Sequence, residues 1–450
     1  MTPALPAEPL PAATDLRALH RMNPERYPFL MQSTAVSTAI GRYDILCAFP
    51  GESLVLEQPG RLEGRRATPG AGFLAALDAW WQTERVDMIG DTLPFTGGWF
   101  LYLGYELAAE VEPGLELEPD PILPAAFAIR CPAALVRDHE DGSVVYVAEA
   151  AAAATLAAVR RDIAECPVDP VVTGTARPEV EEEGAASFLD AVVAAKAYIA
   201  NGDIYQANLS RGWSARLTEG ADELRIYESL CEANPGPFAG IFRWRDTSII
   251  SSSPERLLQV RNDVISTRPI AGTRPRSVDK NVDQDLLAEL IAHPKERAEH
   301  IMLIDLERND LGRVCKAGTV EVNEMMVIES YAHVHHIVSN VRGVKRSDVT
   351  PGECIRAVFP GGTITGCPKV RCMEIIAELE TGPRGAYTGS FGYLNRDGSL
   401  DLNILIRTMV MRGDEITLRA GSGIVADSEP EAELAETRAK AKGLIKALSR

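Results

Sequence analysis

Residues 421–450 read GSGIVADSEPEAELAETRAKAKGLIKALSR, and the chain's most suggestive chemistry is gathered there. A glycine-broken apolar strand end, with Gly421, Gly423, Ile424 and Val425, runs into a helix. Ser428 stands where an N-cap belongs, Pro430 falls in the first turn, and Glu431 lies three residues on. That order predicts a capping box. At about 3.6 residues per turn, Leu434, Ala441, Ile445 and Leu448 line one apolar stripe. Glu433, Glu436 and Lys440 line a second stripe roughly 120° around the helix. Two acids and a lysine beside a buried stripe, just after a glycine-rich turn, suit a metal ion and an anionic ligand. The same residues also read as a solvated face with an i,i+4 Glu436–Lys440 pair.

Other segments carry groups that could complete such a site. Glu296 and Glu299 follow Pro294 at i,i+3 and so share a helix face. Ile301 to Ile304 are apolar on every side, which predicts that this helix is soon buried. Carboxylates at the mouth of a buried helix need a counter-charge or a metal; Lys295 and Arg297 are the local counter-charges. Glu296, Glu299, Glu433 and Glu436 together would form a two-helix, all-oxygen set. Mg²⁺ takes such ligands while keeping waters and sharing an anionic substrate. In FPGGTITGCPKVRCME, a glycine-rich loop with two threonines opens a helix near Pro368, with Lys369 and Arg371 in its first turn. The free N–H groups of a helix start attract anions, although the phosphate-loop order GxxxxGK[ST] is missing and a plain capped helix fits equally. Arg407 is a lone guanidinium in the apolar run NILIRTMV, either a structural ion pair or a carboxylate clamp. Lys440 is the second clamp candidate. His333 and His335 share one strand face and His336 takes the other. No further zinc ligands accompany them, but histidine is the readiest acid for a leaving hydroxyl near neutral pH. Gln206, in IYQANLS, is a neutral polar residue within a strand.

The elements that must position these groups form an α+β pattern. Short apolar runs joined by turns dominate residues 27–149, and Ala150 to Glu165 reads as one helix. The Pro-, Gly- and acid-rich stretch 167–184 is the linker candidate, dividing an N-terminal region (1–166) from a more regular region (185–450). In the latter, SFLDAVVAAKAYIANGD is a helix stopped at Asn201-Gly202, and the helical run before Arg313 breaks at Pro294. Most strands connect through turns, which predicts large antiparallel sheets. The net charge of −18 argues against nucleic acid or an anionic membrane as a general partner. The eight cysteines have no CxxC spacing and read as reduced cytoplasmic thiols. The start MTPALPAEPLPAATDL lacks the basic and apolar regions of a signal peptide, and no apolar run is long enough to span a membrane.

Taken in order, IYQANLS, SSPERLL, RPIAGTRPR, KERAEHIMLIDLERNDLGRV, HHIVSNV, FPGGTITGCPKVRCMEII, GAYTGSFGY, LNILIRT and AGSGIVADSEPEAELAET-x-x-K resemble the chorismate-utilising enzymes. Those include anthranilate synthase component I, aminodeoxychorismate synthase component I, isochorismate synthase and salicylate synthase. The resemblance is strong over about 190–446 and weaker before it. It implies a sandwich-like core of antiparallel sheets with helices outside, and chorismate bound with Mg²⁺. By the same resemblance, Glu299 and Glu436 match metal ligands, with Glu296 and Glu433 alongside. Tyr387, Arg407 and Lys440 match substrate-carboxylate contacts, helped by backbone N–H groups near Gly421 and Gly423. Thr365 matches the loop against the substrate, and His336 the histidine near the departing 4-hydroxyl. Isochorismate and salicylate synthases carry a lysine base where this chain has Gln206, so the resemblance implies an ammonia-using enzyme. GRYDILCAFP and TITGCPK look like aminodeoxychorismate synthase. Ala271 in PIAGT stands where many of those enzymes carry a lysine nucleophile, as anthranilate synthases do. No glutaminase motif is present, so ammonia is expected from solution or from a separate glutamine amidotransferase subunit in a heterodimer. The alternatives are an anthranilate synthase and a catalytically silent regulatory relative.

Overall fold

The computed structural model describes residues 7–448 apart from 36–39, 65, 69, 88–92, 168–177, 219–220, 278 and 332–333. Two large sheets carry the fold, and their strand pairings are antiparallel throughout the described residues. The first runs, edge to edge, Ala7–Leu10, Val144–Ala148, Ala133–Asp138, Tyr43–Ala48, Phe29–Gln32, Phe238–Trp244, Thr247–Ser253, Thr408–Arg412, Glu415–Ile424, Gln206–Arg216, Val180–Glu182. The second runs Ile270–Pro275, Val334–Val344, Val264–Arg268, Arg256–Arg261, Leu400–Asn403, Ser390–Asn395, Gly98–Leu103, Ala126–Cys131, Ser53–Gln58, Arg61–Gly64. Glu321–Ser330 adds to Val334–Val344, and Gly366–Cys367 to Gln206–Arg216. The α+β expectation with large antiparallel sheets therefore matches the observed architecture.

Residues before and after the linker supply strands to both sheets. Phe29–Gln32 zips to Phe238–Trp244 in one, and Gly98–Leu103 to Ser390–Asn395 in the other. Strand alternation sends Phe29, Phe100, Phe127, Phe242 and Phe391 into one buried layer. The Phe29 and Phe100 rings stack at 4.0 Å. Gly240 lies under this layer, where a Cβ would come within 2.6 Å of the Phe391 ring. The acidic end of the linker candidate is itself a strand, Val180–Glu182, on the sheet edge.

Local signals explain several helix ends. Lys280–Ala292 stops before His293, and Pro294 opens Pro294–Gly312, as a residue without an N–H can do only in a first turn. That helix buries one side, with Leu303, Ile304 and Leu311 inside, while Ile301 is 45% exposed. The expected all-round burial fails because the sheet covers one face alone. Asn201 caps Ala185–Ala200, and Gly202 follows at φ +83°. Residues Ala150–Thr155 are a tight 3₁₀ run leading into Leu156–Glu165, not one continuous α-helix. The C-terminal helix, Pro430–Ala447, begins from Glu429, and the capping box at Ser428 does not form. The Ser428 hydroxyl turns back to accept from the Val425 N–H at 3.0 Å, closing the turn before the helix. Leu434, Ala441, Leu444 and Leu448 are the buried stripe.

Candidate active site

The site is organised by the end of strand Glu415–Ile424. One neighbour, Gln206–Arg216, accompanies it to its last residue, with Ser210 opposite Gly421 and Asn208 opposite Gly423. The other, Thr408–Arg412, pairs no further than Met409 with Leu418, so that edge opens where the chain turns at Arg407 (φ +55°). Gly421 and Gly423 share a face. A Cβ on Gly421 would lie 2.6 Å from the Tyr387 hydroxyl and 2.7 Å from the Leu209 carbonyl. A Cβ on Gly423 would lie 2.5 Å from Gln206 Nε2 and 3.5 Å from Glu299 Oε1. The two glycines leave room for side chains to stand directly over the backbone.

Most of the expected residues converge there. Gln206, 4% exposed, donates from Nε2 to Glu299 at 2.6 Å. Lys440 donates to the Gly421 carbonyl at 2.9 Å and pairs with Glu436 at 2.7 Å. Arg407 donates to the Lys440 carbonyl at 2.9 Å. Burial pulls the Arg407 guanidinium below its ordinary range, while Tyr387 and Glu436 oppose that shift. The Arg407 acceptor seen here is a backbone oxygen, not a structural carboxylate, and the guanidinium keeps donors for an anion.

The four glutamates are held differently. Glu299 takes the Gln206 amide and Glu436 the Lys440 ammonium. Glu296 pairs with Arg274 at 2.6 Å, and its Oε2 is buried without a hydrogen-bond partner. Gln206 Oε1 is likewise buried and unpartnered. Glu433 accepts from the Ser422 hydroxyl. Ser422 lies between the two glycines, so by strand alternation it faces the other way from them. Among the described residues no three acids, histidines or cysteines stand close enough to enclose a metal alone. The donors nevertheless fit Mg²⁺, which uses one or two carboxylates plus waters and ligand oxygens. The buried, donorless Gln206 Oε1 beside Glu299 adds a local demand for positive charge.

The remaining groups lie on the loop 361–369 and on strand Val334–Val344. Thr365 is fully buried; its hydroxyl donates to the Gly361 carbonyl at 2.9 Å and its own carbonyl accepts from the Asn208 N–H at 2.9 Å. Its backbone thus ties the loop to the Gln206 strand, and its side chain closes the loop on itself. His336 meets the Thr273 hydroxyl at 2.8 Å through Nδ1. Burial, helped by Arg407, pushes the His336 imidazole down to about 4, so it is neutral at pH 7. His335, on the opposite face, meets Ser330 and Asp283 at 2.7 and 3.2 Å; His333 lies outside the described residues.

One acid was missed by sequence reasoning. Glu255, 4% exposed, accepts from the Ile270 N–H at 3.3 Å. Burial pushes its carboxyl up to about 8, against the opposing pull of Thr363 and Lys440, so it keeps a proton at pH 7. The signal lay in SSPERLL: an acid at the corner where Thr247–Ser253 of one sheet passes to Arg256–Arg261 of the other. A buried carboxyl with a strongly raised pKa at such a corner is a candidate for catalysis.

Comparison with known proteins agrees with this geometry. Residues 54–446 match the family described as chorismate binding enzyme, well beyond the stretch where the motifs are strongest. The chain is 42% identical to an anthranilate synthase component I-like protein of Synechocystis sp., over 80% of this chain and 74% of that one. It is 40% identical to aminodeoxychorismate synthase component 1 of Bacillus subtilis, over 83% of this chain and 82% of that one. The crystal structure of anthranilate synthase component I from Streptococcus pneumoniae TIGR4 superposes with a TM-score of 0.81 at 30% identity, covering 91% of this chain and 93% of that one. The chain therefore belongs to the chorismate binding enzyme family, and within it to the anthranilate and aminodeoxychorismate synthase component I type.

Proposed function

We propose that the protein aminates chorismate with ammonia to give 4-amino-4-deoxychorismate, with Mg²⁺ bound and with ammonia delivered by a separate glutamine amidotransferase subunit. The observation that carries the amination is the Gln206–Glu299 pair. An amide that donates to a carboxylate cannot take a proton from water, whereas ammonia needs no base to become a nucleophile. Arg407 and Lys440 supply positive charge for the substrate carboxylates, and the Tyr387 hydroxyl supplies a neutral donor. Glu299 and Glu436 are the proposed metal ligands, with Glu296 alongside, while Glu433 accepts from Ser422 on the other face of the strand. Bound Mg²⁺ would neutralise a substrate carboxylate and help orient the ring.

Glu255 is the proposed acid. As the carbon–nitrogen bond forms and the carbon–oxygen bond breaks, the leaving hydroxyl takes the Glu255 proton and departs as water. The ammonium-like product nitrogen then gives up one proton to water, and the Glu255 carboxylate regains a proton from solvent. His336 is uncharged at neutral pH and serves better as a hydrogen-bonding neighbour of the hydroxyl than as its proton source. Similarity of TITGCPK to aminodeoxychorismate synthases favours nitrogen at C4. Ala271 favours a second reading, an anthranilate synthase that places nitrogen at C2 and then eliminates pyruvate, because no amine nucleophile stands in PIAGT. Both readings need the same acid at the 4-hydroxyl.

Incubation with chorismate, Mg²⁺ and an ammonium salt decides between them. The expected product yields 4-aminobenzoate once a lyase is added. Direct appearance of fluorescent anthranilate would replace the first reading by the second, and absence of any turnover would point to a silent regulatory relative. The partner is tested by glutamine: purified chain alone should use ammonium and not glutamine.

A further inference from the structure

The N-terminal part of the chain reaches the site through one buried carboxylate. Strand Gly98–Leu103 ends in a short 3₁₀ turn, Tyr105–Leu107, whose Glu106 is 3% exposed. Glu106 Oε1 accepts from two consecutive backbone groups, the Arg384 N–H at 2.9 Å and the Gly385 N–H at 3.0 Å. Tyr105 answers in the other direction, donating its N–H to the Gly385 carbonyl at 2.9 Å. These residues begin the turn that carries Tyr387. The Tyr387 N–H closes onto the Arg384 carbonyl at 3.0 Å, and Thr388 follows at φ +63°. The turn fits closely on its outer side as well. Gly385 sits at φ +56°, and a Cβ there would lie 2.1 Å from Asp120 Oδ2.

Two N–H groups aimed at one oxygen form a small anion nest, and here the anion comes from the protein itself. Burying a carboxylate with only backbone donors is costly. Glu106 Oε2 has no hydrogen-bond partner at all, so simple satisfaction of the side chain does not explain its place. The Arg384 side chain, stacked over Tyr105 at 4.8 Å, separately ties the turn to the Asn208 and Ile364 carbonyls at 2.6 and 3.1 Å. The turn is thus anchored to the site by Arg384 and to the N-terminal part by Glu106.

We propose that Glu106 is a positioning residue: it fixes the Arg384–Thr388 turn so that the Tyr387 hydroxyl stands over Gly421. This rests on the reading that Tyr387 contacts substrate, and the experiment separates the two. In full-length protein, Glu106→Ala should raise KM for chorismate by about tenfold with kcat changed much less, the pattern of lost uniform binding. Glu106→Gln, whose Oε1 can accept both N–H groups, should restore the wild-type KM. Hydrogen exchange without substrate should speed up at 385–388 in Glu106→Ala and not in Glu106→Gln. Glu106→Asp, which is too short to reach, carries the same expectation where the alanine variant fails to accumulate.

Faster exchange in the turn with unchanged KM, while Tyr387→Phe does raise KM, would overturn the proposal and leave the Tyr387 reading standing. A lower active fraction with both KM and exchange unchanged would also overturn it, showing a brace for the fold alone. If Tyr387→Phe leaves KM unchanged, the substrate-contact reading falls, and unchanged exchange in Glu106→Ala would then overturn the positioning role too.

Discussion

The two ends of the site treat carboxylates in opposite ways. At the strand end, Glu299, Glu436 and Glu296 each meet a nitrogen donor from a side chain: Gln206, Lys440 and Arg274. Under the loop 361–369, Glu255 meets a backbone N–H and the neighbourhood of Thr363. Burial pushes Glu255 up to about 8, and it likewise raises Glu307, which is buried against the Gly362 N–H of the same loop. The first arrangement presents negative charge that a cation can share. The second stores a proton at neutral pH. Displacing a hydroxyl from a bound dianion calls for both, and burial of Glu255 outweighs the downward pull of the Lys440 ammonium, so the carboxyl keeps its proton.

Removing charge at the strand end should have the largest effect. Glu436→Gln or Glu299→Gln is expected to lower Mg²⁺-dependent turnover by a factor on the order of a thousand, a loss of several kcal/mol of electrostatic stabilisation. Turnover that survives both substitutions and EDTA would erase the contrast between the two ends. Next is Glu255→Gln, with a fall in kcat of roughly a hundredfold and a much smaller change in KM, as for a lost general acid. The wild-type rate should decline as pH rises through about 8, where Glu255 loses its proton, and the glutamine variant should lack that limb. A limb unchanged in Glu255→Gln would move the acid elsewhere. His336 titrates near 4 and should place no limb between pH 6 and 9.

What could be read in the sequence was local or tied to strand period. The break at Pro294, the cap at Asn201-Gly202 and the antiparallel meander follow from residues a few positions apart. Arg407 drew notice because a guanidinium in an apolar strand is costly anywhere in a fold. The Gln206–Glu299 contact joins groups 93 positions apart, and only the register of strand and helix brings them together. Glu255 was hidden because one acid has no period, and its chemistry comes from a change of sheet on either side. Ser428 misled because a good capping side chain served the turn before the helix instead. Ile301 misled because apolar type shows no direction. Glu106 is the extreme case, since its ligands are backbone N–H groups, which every sequence has.

A smaller effect is expected on stability. Glu255, Glu307 and Glu106 all have carboxyls raised by burial, to about 8, 7 and 7, against an ordinary 4.5. Below about pH 4.5 they are protonated in both folded and unfolded chains and contribute no pH dependence. Between there and about pH 8 the unfolded chain binds fewer protons than the folded one, so stability falls as pH rises. Thermal unfolding should occur at a lower temperature at pH 8.5 than at pH 6, and Glu255→Gln should flatten that slope. A melting temperature that climbs across this window would contradict the stored protons under the loop.

The smallest expected effect tests the strand end from the other side. Lys440 and Glu436 form an i,i+4 pair whose side chains are 36% and 47% exposed. Solvent screens such a pair, and its coupling in a double-mutant cycle should be about 0.3–0.5 kcal/mol. Lys440→Met should therefore shift the unfolding midpoint slightly, the lost bond to the Gly421 carbonyl included, yet clearly weaken substrate binding. That separation is what an exposed charge kept for a ligand predicts. A large loss of stability with unchanged KM would instead make Lys440 a strut for the Gly421 strand, and Arg407 would be left as the remaining cation for the substrate at that end.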